Sequence, residues 1–272
     1  SRIADLEQEL SQEKNDSLRI YLMSEIAYEY EASSLKTAMY WYDKAIALAK
    51  KKKSTYWLSK NYGYKAIVLQ FTLDFDSSAF YNQRAIHLAN QIGDTVQVTK
   101  LYCNLGKTYF ENDKVVSALE TYKKGLRLAK KINNNLLIAT TYRGIAVTYR
   151  KMQNHEYSLM YHKMALKIDL EMNSPRDLAM DYANIAVAFQ DLREWDKANG
   201  YLEKAIKIYE ELKVQGEELA ILYNNQASVE TEKNNHGKAL ELFFKATLTS
   251  LRMLTVPKRR WTPILEVPRR KG

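Results

Sequence analysis

The sequence predicts an all-α fold of about six stacked helix–turn–helix repeats. Three observations carry that prediction. Helix breakers are scarce: 272 residues include 9 Gly and 4 Pro, and three of the prolines lie in the last sixteen residues, so positions 1–256 contain only Pro175. Such a composition favours helix throughout. The chain also repeats itself, with tyrosines leading similar segments at Tyr62, Tyr102, Tyr142, Tyr182 and Tyr223, in steps of 40, 40, 40 and 41. Finally, small residues keep phase with those tyrosines, at Ala66, Gly106, Ala146, Ala186 and Ala227, then Ser78, Ala118, Ser158, Ala198 and Ala239, then Ala85, Gly125, Ala165, Ala205 and Ala246. Repetition at this period is the mark of a solenoid.

Each element follows in order. Residues 1–16 predict a short amphipathic helix (Ile3, Leu6, Leu10) ended by Asn15-Asp16-Ser17. The first and loosest copy, 17–56, holds Met23, Ala27, Tyr30, Ala38 and Ala45. The second, 57–96, closes on Ile92-Gly93-Asp94, where Gly93 suits a helix C-cap. The third, 97–136, places Tyr102, Leu105, Gly106 and Tyr109 at i, i+3, i+4 and i+7. A polar turn, Glu111 to Lys114, leads there to a second helix with Ala118, Tyr122, Gly125, Leu126 and Ala129. The fourth, 137–176, turns at Gln153-Asn154-His155-Glu156, and Ser174-Pro175 reads as the next helix start. The fifth and sixth, 177–217 and 218–255, repeat the pattern. Two antiparallel helices approach closely only where their contact line lacks bulk, which explains the alanines and glycines. No helix pair buries both its apolar faces alone, so the copies must stack.

The tail, 256–272, breaks the pattern with three prolines, Trp261, and six basic residues against Glu266. Its net charge of +5 leaves +4 of the chain's +9 on the other 255 residues, too little to mark a nucleic-acid surface on the repeats. A nucleic-acid or anionic-lipid role is therefore confined to the tail, the second functional reading being a nucleic-acid-associated regulator acting through it. A single cysteine, Cys103, excludes an intramolecular disulfide. No apolar run approaches the roughly 18 residues that would span a membrane.

Candidate chemistry is thin. Gly106-Lys107-Thr108 resembles the end of a phosphate-binding loop, but the motif needs a second glycine five residues earlier, where Leu101 stands, and a preceding strand. Gly106 therefore reads as a helix-packing glycine, and Gly106→Ala is expected to be tolerated. His87, His155, His162 and His236 form no HExxH pattern, with His155 and His236 read as exposed turn residues. Cys103 reads as a small packing residue, and carboxylate pairs such as Glu210-Glu211 as solvated helix ends. The tyrosines that lead the copies are read as core. No nucleophile–base set, metal site or small-molecule cofactor is indicated, so the chain is expected not to be an enzyme.

The positions Leu105, Gly106, Tyr109, Ala118, Tyr122 and Gly125, with Ile185, Ala186, Phe189, Ala198 and Ala205, resemble the tetratricopeptide repeat. The period of 40 is similar to that of its long-helix subclass. The resemblance implies a right-handed α-α superhelix whose first helices line a concave wall holding a protein or an extended peptide. It implies inward projection of Lys60, Tyr64, Lys100, Asn104, Lys107, Arg143, Arg150, Asn184, Asn224 and Asn225. Asn104, Asn184 and Asn225 share one repeat position, where the subclass uses an amide to hold peptide backbone. Tyr64 and Gly144 interrupt that ladder. Lysines and arginines at the middle of the wall would favour an acidic partner. The family's carboxylate clamp is incomplete in every register. The N-terminal stretch resembles the sensory regions of bacterial histidine kinases and repeat-containing regulators. That implies a sensory or scaffolding role in bacterial signalling, extracytoplasmic if the chain is part of a membrane-bound kinase and cytoplasmic otherwise. Oligomeric state is not legible.

Overall fold

A computed structural model of the chain describes residues 2–214 and 216–253. The predicted basic tail, 256–272, lies outside the described residues. The described residues form thirteen α-helices and no strand. They are α1 (Arg2–Gln12), α2 (Asp16–Tyr30), α3 (Leu35–Lys51), α4 (Thr55–Phe71), α5 (Phe75–Gln91), α6 (Thr95–Glu111), α7 (Val115–Lys131), α8 (Asn135–Lys151), α9 (His155–Met172), α10 (Pro175–Asp191), α11 (Trp195–Glu211), α12 (Glu217–Glu232) and α13 (His236–Met253). They divide into two compact units, residues 2–137 and 138–253.

The backbone repeats at half the sequence period. Most of the helices from α3 to α11 have 17 residues, with a three-residue turn between them. The middle turn residue is left-handed each time: Lys53, Leu73, Gly93, Asp113, Asn133, Gln153, Asn173, Arg193, Lys213 and Asn234, with φ between 50° and 70°. At most of these turns two hydrogen bonds close the helix end. At the first, Lys53 N donates to Lys50 O and Ser54 N to Ala49 O. This Schellman pairing satisfies carbonyls that the helix leaves open. The residue after the left-handed one caps the next helix: the side chains of Ser54, Asp74, Asp94, Asn134 and Asn154 each accept the backbone N–H three residues on. Only Gly93 of the ten left-handed residues is a glycine, so the sequence marks most of these turns by polar residues rather than by glycine.

In the first unit α2/α3, α4/α5 and α6/α7 pack closely, α3 and α5 lean on the following pair, and α4 touches both α2 and α6. In the second, α10/α11 and α12/α13 do the same, and α10 touches α12. The small residues lie on the contact lines: Ala66, Ala85 and Ala118 in the first unit, and Ala165, Ala186, Ala198, Ala205 and Ala227 in the second, are fully buried. Large side chains fill the space between them. Ile46, Tyr62, Ile86, Val98, Leu101 and Leu105 form one core of the first unit. Ile185, Phe189, Leu202, Ile206, Tyr209 and Leu222 belong to the core of the second. Helix α1 closes the first unit, with Leu10 against the Ile20 and Met23 cluster and Arg2 3.1 Å from Glu25.

The structure corrects the expectation for Gly106. A Cβ there would stand 2.8 Å from two carbons of the Tyr122 ring and 3.0 Å from Tyr122 Cγ. The ring is buried and cannot swing to solvent. Alanine, which serves at the matching positions, does not fit beside this tyrosine without displacing it.

Candidate partner-binding face

Helices α4 and α6 adjoin in the first unit, and three of the predicted lysines stand on them. Lys60 is half-buried; its Nζ donates to Gln97 Oε1 at 2.9 Å and lies 5.5 Å from the Tyr56 ring centre. Burial lowers its pKa, with the Lys100 charge acting in the same direction and Asp94 opposing. Lys100 and Lys107 are half-buried as well, and burial lowers the Lys107 pKa against the pull of Glu111. No ion pair to a carboxylate reaches Lys60 or Lys100 among the described residues. Tyr64 packs against Tyr42, ring centres 5.8 Å apart, and burial raises its phenol pKa well above the ordinary value.

The asparagines divide. Asn104 is buried and its Nδ2 has no partner among the described residues, so its amide does not reach solvent. Its carbonyl accepts from Gln70 Nε2 at 3.1 Å, and Gln70 also bonds Thr108 Oγ1. The second unit repeats this bond, Gln190 Nε2 to Asn225 O at 3.0 Å. Asn184 and Asn225 are half-buried and Asn224 is exposed.

The two arginines behave differently from the lysines. Arg143 Nη1 donates to Asp181 Oδ1 at 3.1 Å and to Asp169 Oδ2, and both aspartates are fully buried. Burial pushes the Asp181 carboxyl up to about 8, and the adjacent Asp169 charge adds to this against the pull of Arg143. The single guanidinium thus faces two buried carboxyl groups. His162 is buried nearby and its pKa falls to about 3, first from burial and then from the charges of Arg143 and Arg150. Arg150 is exposed and forks onto Asp191, with Nη2 3.3 Å from Oδ1. His155, half-buried rather than an exposed turn residue, sits 3.4 Å from the same carboxylate.

Sequence reading missed Tyr56 and Gln97, which hold Lys60, and the three aspartates that neutralise the arginines. The signal for the buried group was present. Arg143 replaces the small Gly63, Cys103 and Ala183 of its repeat position, and Asp169 replaces Ala49, Ala89 and Ala129. Opposite charges at two packing positions mark a buried pair. Cys103 is buried as a packing residue, with its Sγ 3.9 Å from where a Cβ on Gly125 would stand. No group of His, Cys, Asp and Glu suited to a metal ion occurs among the described residues.

Family models described as tetratricopeptide repeat match residues 97–171 and 182–212. No curated protein matches the chain. Solved structures do. BtubC (BKLC) from P. vanneervenii superposes with a TM-score of 0.73 at 17% identity, over 88% of this chain and all of that one. A signal-transduction ATPase with a tetratricopeptide-repeat sensor from Pyrococcus horikoshii gives 0.73 at 17% identity, over 92% of this chain but 39% of that one. A Rap protein in complex with competence and sporulation factor gives 0.64 at 14% identity, over 91% of this chain and 74% of that one. These likenesses establish a shared all-α solenoid fold. Residues 97–171 and 182–212 are tetratricopeptide repeats, and the chain that carries them is a tetratricopeptide-repeat protein.

Proposed function

We propose that this chain is a non-catalytic module that holds an acidic protein segment or extended peptide against α4 and α6, as the sensory or scaffolding part of a bacterial signalling system. Tetratricopeptide repeats are protein-interaction modules, and the solved relatives include a signalling ATPase's sensor and a Rap protein bound to a signalling factor. The observation that carries the reading is the contrast in charge. Arg143 and Arg150 are neutralised within the chain, whereas Lys60 and Lys100 stand half-buried without an ion-pair contact to a carboxylate among the described residues, Asp94 acting on Lys60 only from beyond that range. A half-buried ammonium gains from a carboxylate that replaces lost water contacts. Lys60, Lys100 and Lys107 supply charge, and Tyr64 and Tyr56 supply the apolar wall. The Asn104 amide opens to a peptide only if the α6 surface moves.

A displayed peptide library tests this. Peptides selected on the wild-type chain should be rich in Asp and Glu. They should lose about tenfold or more in affinity on Lys60→Glu/Lys100→Glu, as expected for reversing paired charges. Their binding should weaken with salt. Enrichment of neutral or basic peptides, or binding indifferent to the double variant, refutes the assignment. Arg143→Glu is unsuitable as a probe, because it would disrupt the second unit itself.

A further inference from the structure

Helix α13 carries an apolar stripe that the repeat does not explain. Phe244, Leu248 and Leu251 follow one another at i, i+4 and i+7 and are 64%, 42% and 52% exposed; Leu240, 72% exposed, extends them on a position that is apolar elsewhere too, at Met39, Ala79, Leu119 and Leu159. Three of these positions point outward on the second helix of every copy and are otherwise mostly polar. Phe244 matches Asp43, Gln83, Lys123, Lys163 and Glu203; Leu248 matches Ala47, His87, Arg127, Lys167 and Lys207; Leu251 matches Lys50, Asn90, Lys130, Leu170 and Glu210.

Phe244, Leu248 and Leu251 do not lie on the row that a following helix covers. The row that the following helix covers elsewhere is Tyr42, Ile46 and Ala49, or Leu202, Ile206 and Tyr209, all buried. On α13 that row reads Phe243, Thr247 and Ser250, two hydroxyls and one ring, all exposed. Apolar character has moved from the stacking row to the outward row. A helix that keeps the repeat's shape but turns its apolar face outward presents it to something other than a next repeat.

We infer that this stripe is the contact face of a homodimer, with α13 packed on α13 of a second copy about a two-fold axis. Charge favours a copy as the occupant. The outward rows of α7, α9 and α11 carry Lys123, Arg127, Lys163, Lys167 and Lys207, which would repel a copy of a chain with net charge +9. The flanks of the α13 stripe are neutralised locally, with Glu241 2.9 Å from Lys245 and Lys238 2.7 Å from Glu230. Area agrees. The stripe with Phe243 exposes on the order of 500 Å² of large apolar side chain, so two copies bury about 1,000 Å², the size at which a specific interface begins. A two-fold contact needs only this one self-complementary patch. The inference is independent of the lysine face on α4 and α6.

Sedimentation of the 272-residue chain across the micromolar range tests it. Wild type should shift with concentration to twice the monomer mass. Phe244→Glu/Leu248→Glu should stay monomeric with unchanged helical circular dichroism, since both side chains are exposed. Thr247→Glu on the stacking row and Lys207→Glu on α11 should still dimerise. A wild type that stays monomeric throughout overturns the inference, as does a dimer that survives the double variant. So does a chain that dimerises only after residues 254–272 are removed, because the tail would then be the occupant. Loss on Thr247→Glu alone would point to end-to-end stacking and overturn it as well.

Discussion

Gly106→Ala separates helix propensity from packing at one atom. In an unobstructed helix the change stabilises by about 1 kcal/mol. Here the new methyl would stand 2.8 Å from the buried Tyr122 ring, well inside van der Waals contact. Overpacking of this kind costs roughly 1–3 kcal/mol. The net expectation is a loss of about 1 kcal/mol, with the sign opposite to propensity. The fifth copy supplies the remedy, since Ala186 there accompanies Leu202 in place of the ring. Tyr122→Leu should destabilise by itself, but in that background Gly106→Ala should become stabilising by up to about 1 kcal/mol. A double-mutant cycle from urea denaturation reads the coupling, expected near 2 kcal/mol. If Gly106→Ala stabilises equally in both backgrounds, the ring does not set the need for glycine and the packing argument is wrong.

Two further outcomes concern the buried charges of the second unit. Arg143→Ala should destabilise it by about 3–5 kcal/mol, because Asp169 and Asp181 would lose their counter-charge. Substituting the residues that stand forty positions earlier, Cys103, Ala129 and Thr141, as Arg143→Cys/Asp169→Ala/Asp181→Thr should recover most of that stability, and urea denaturation measures both. The pH dependence follows from opposed shifts. Asp181, raised from 3.8 to about 8, holds a proton in the fold that the unfolded chain releases, so its contribution is lost as pH rises through that range. His162, lowered from 6.5 to about 3, must stay neutral in the fold, so stability is lost as pH falls from 6.5 toward 3. The two slopes, each about 1.4 kcal/mol per pH unit at most, cancel between pH 4 and 6.5 and leave a decline from 6.5 to 8. Asp181→Asn should remove that decline, and His162→Leu should extend it down to pH 4; a wild-type profile rising from 6.5 to 8 contradicts the assignment.

The sequence by itself determined the helices and their packing lines. Scarce breakers, a forty-residue period and in-phase small residues are local and periodic, and helix–helix contact depends on just such local spacing. The lysines on α4 and α6 were legible for the same reason. Tertiary structure decided what those residues meet. Whether Gly106 could be alanine depends on a ring sixteen residues away, and whether Arg143 is free depends on aspartates 26 and 38 residues away. Periodicity places a side chain on a face but says nothing of what stands opposite, so the Arg143 charge and the closed Asn104 amide emerged only from the packed helices. The turns followed the same logic in reverse. Their left-handed residues are mostly not glycine, because the two closing hydrogen bonds at the helix end hold the conformation that residue type alone would have left unannounced.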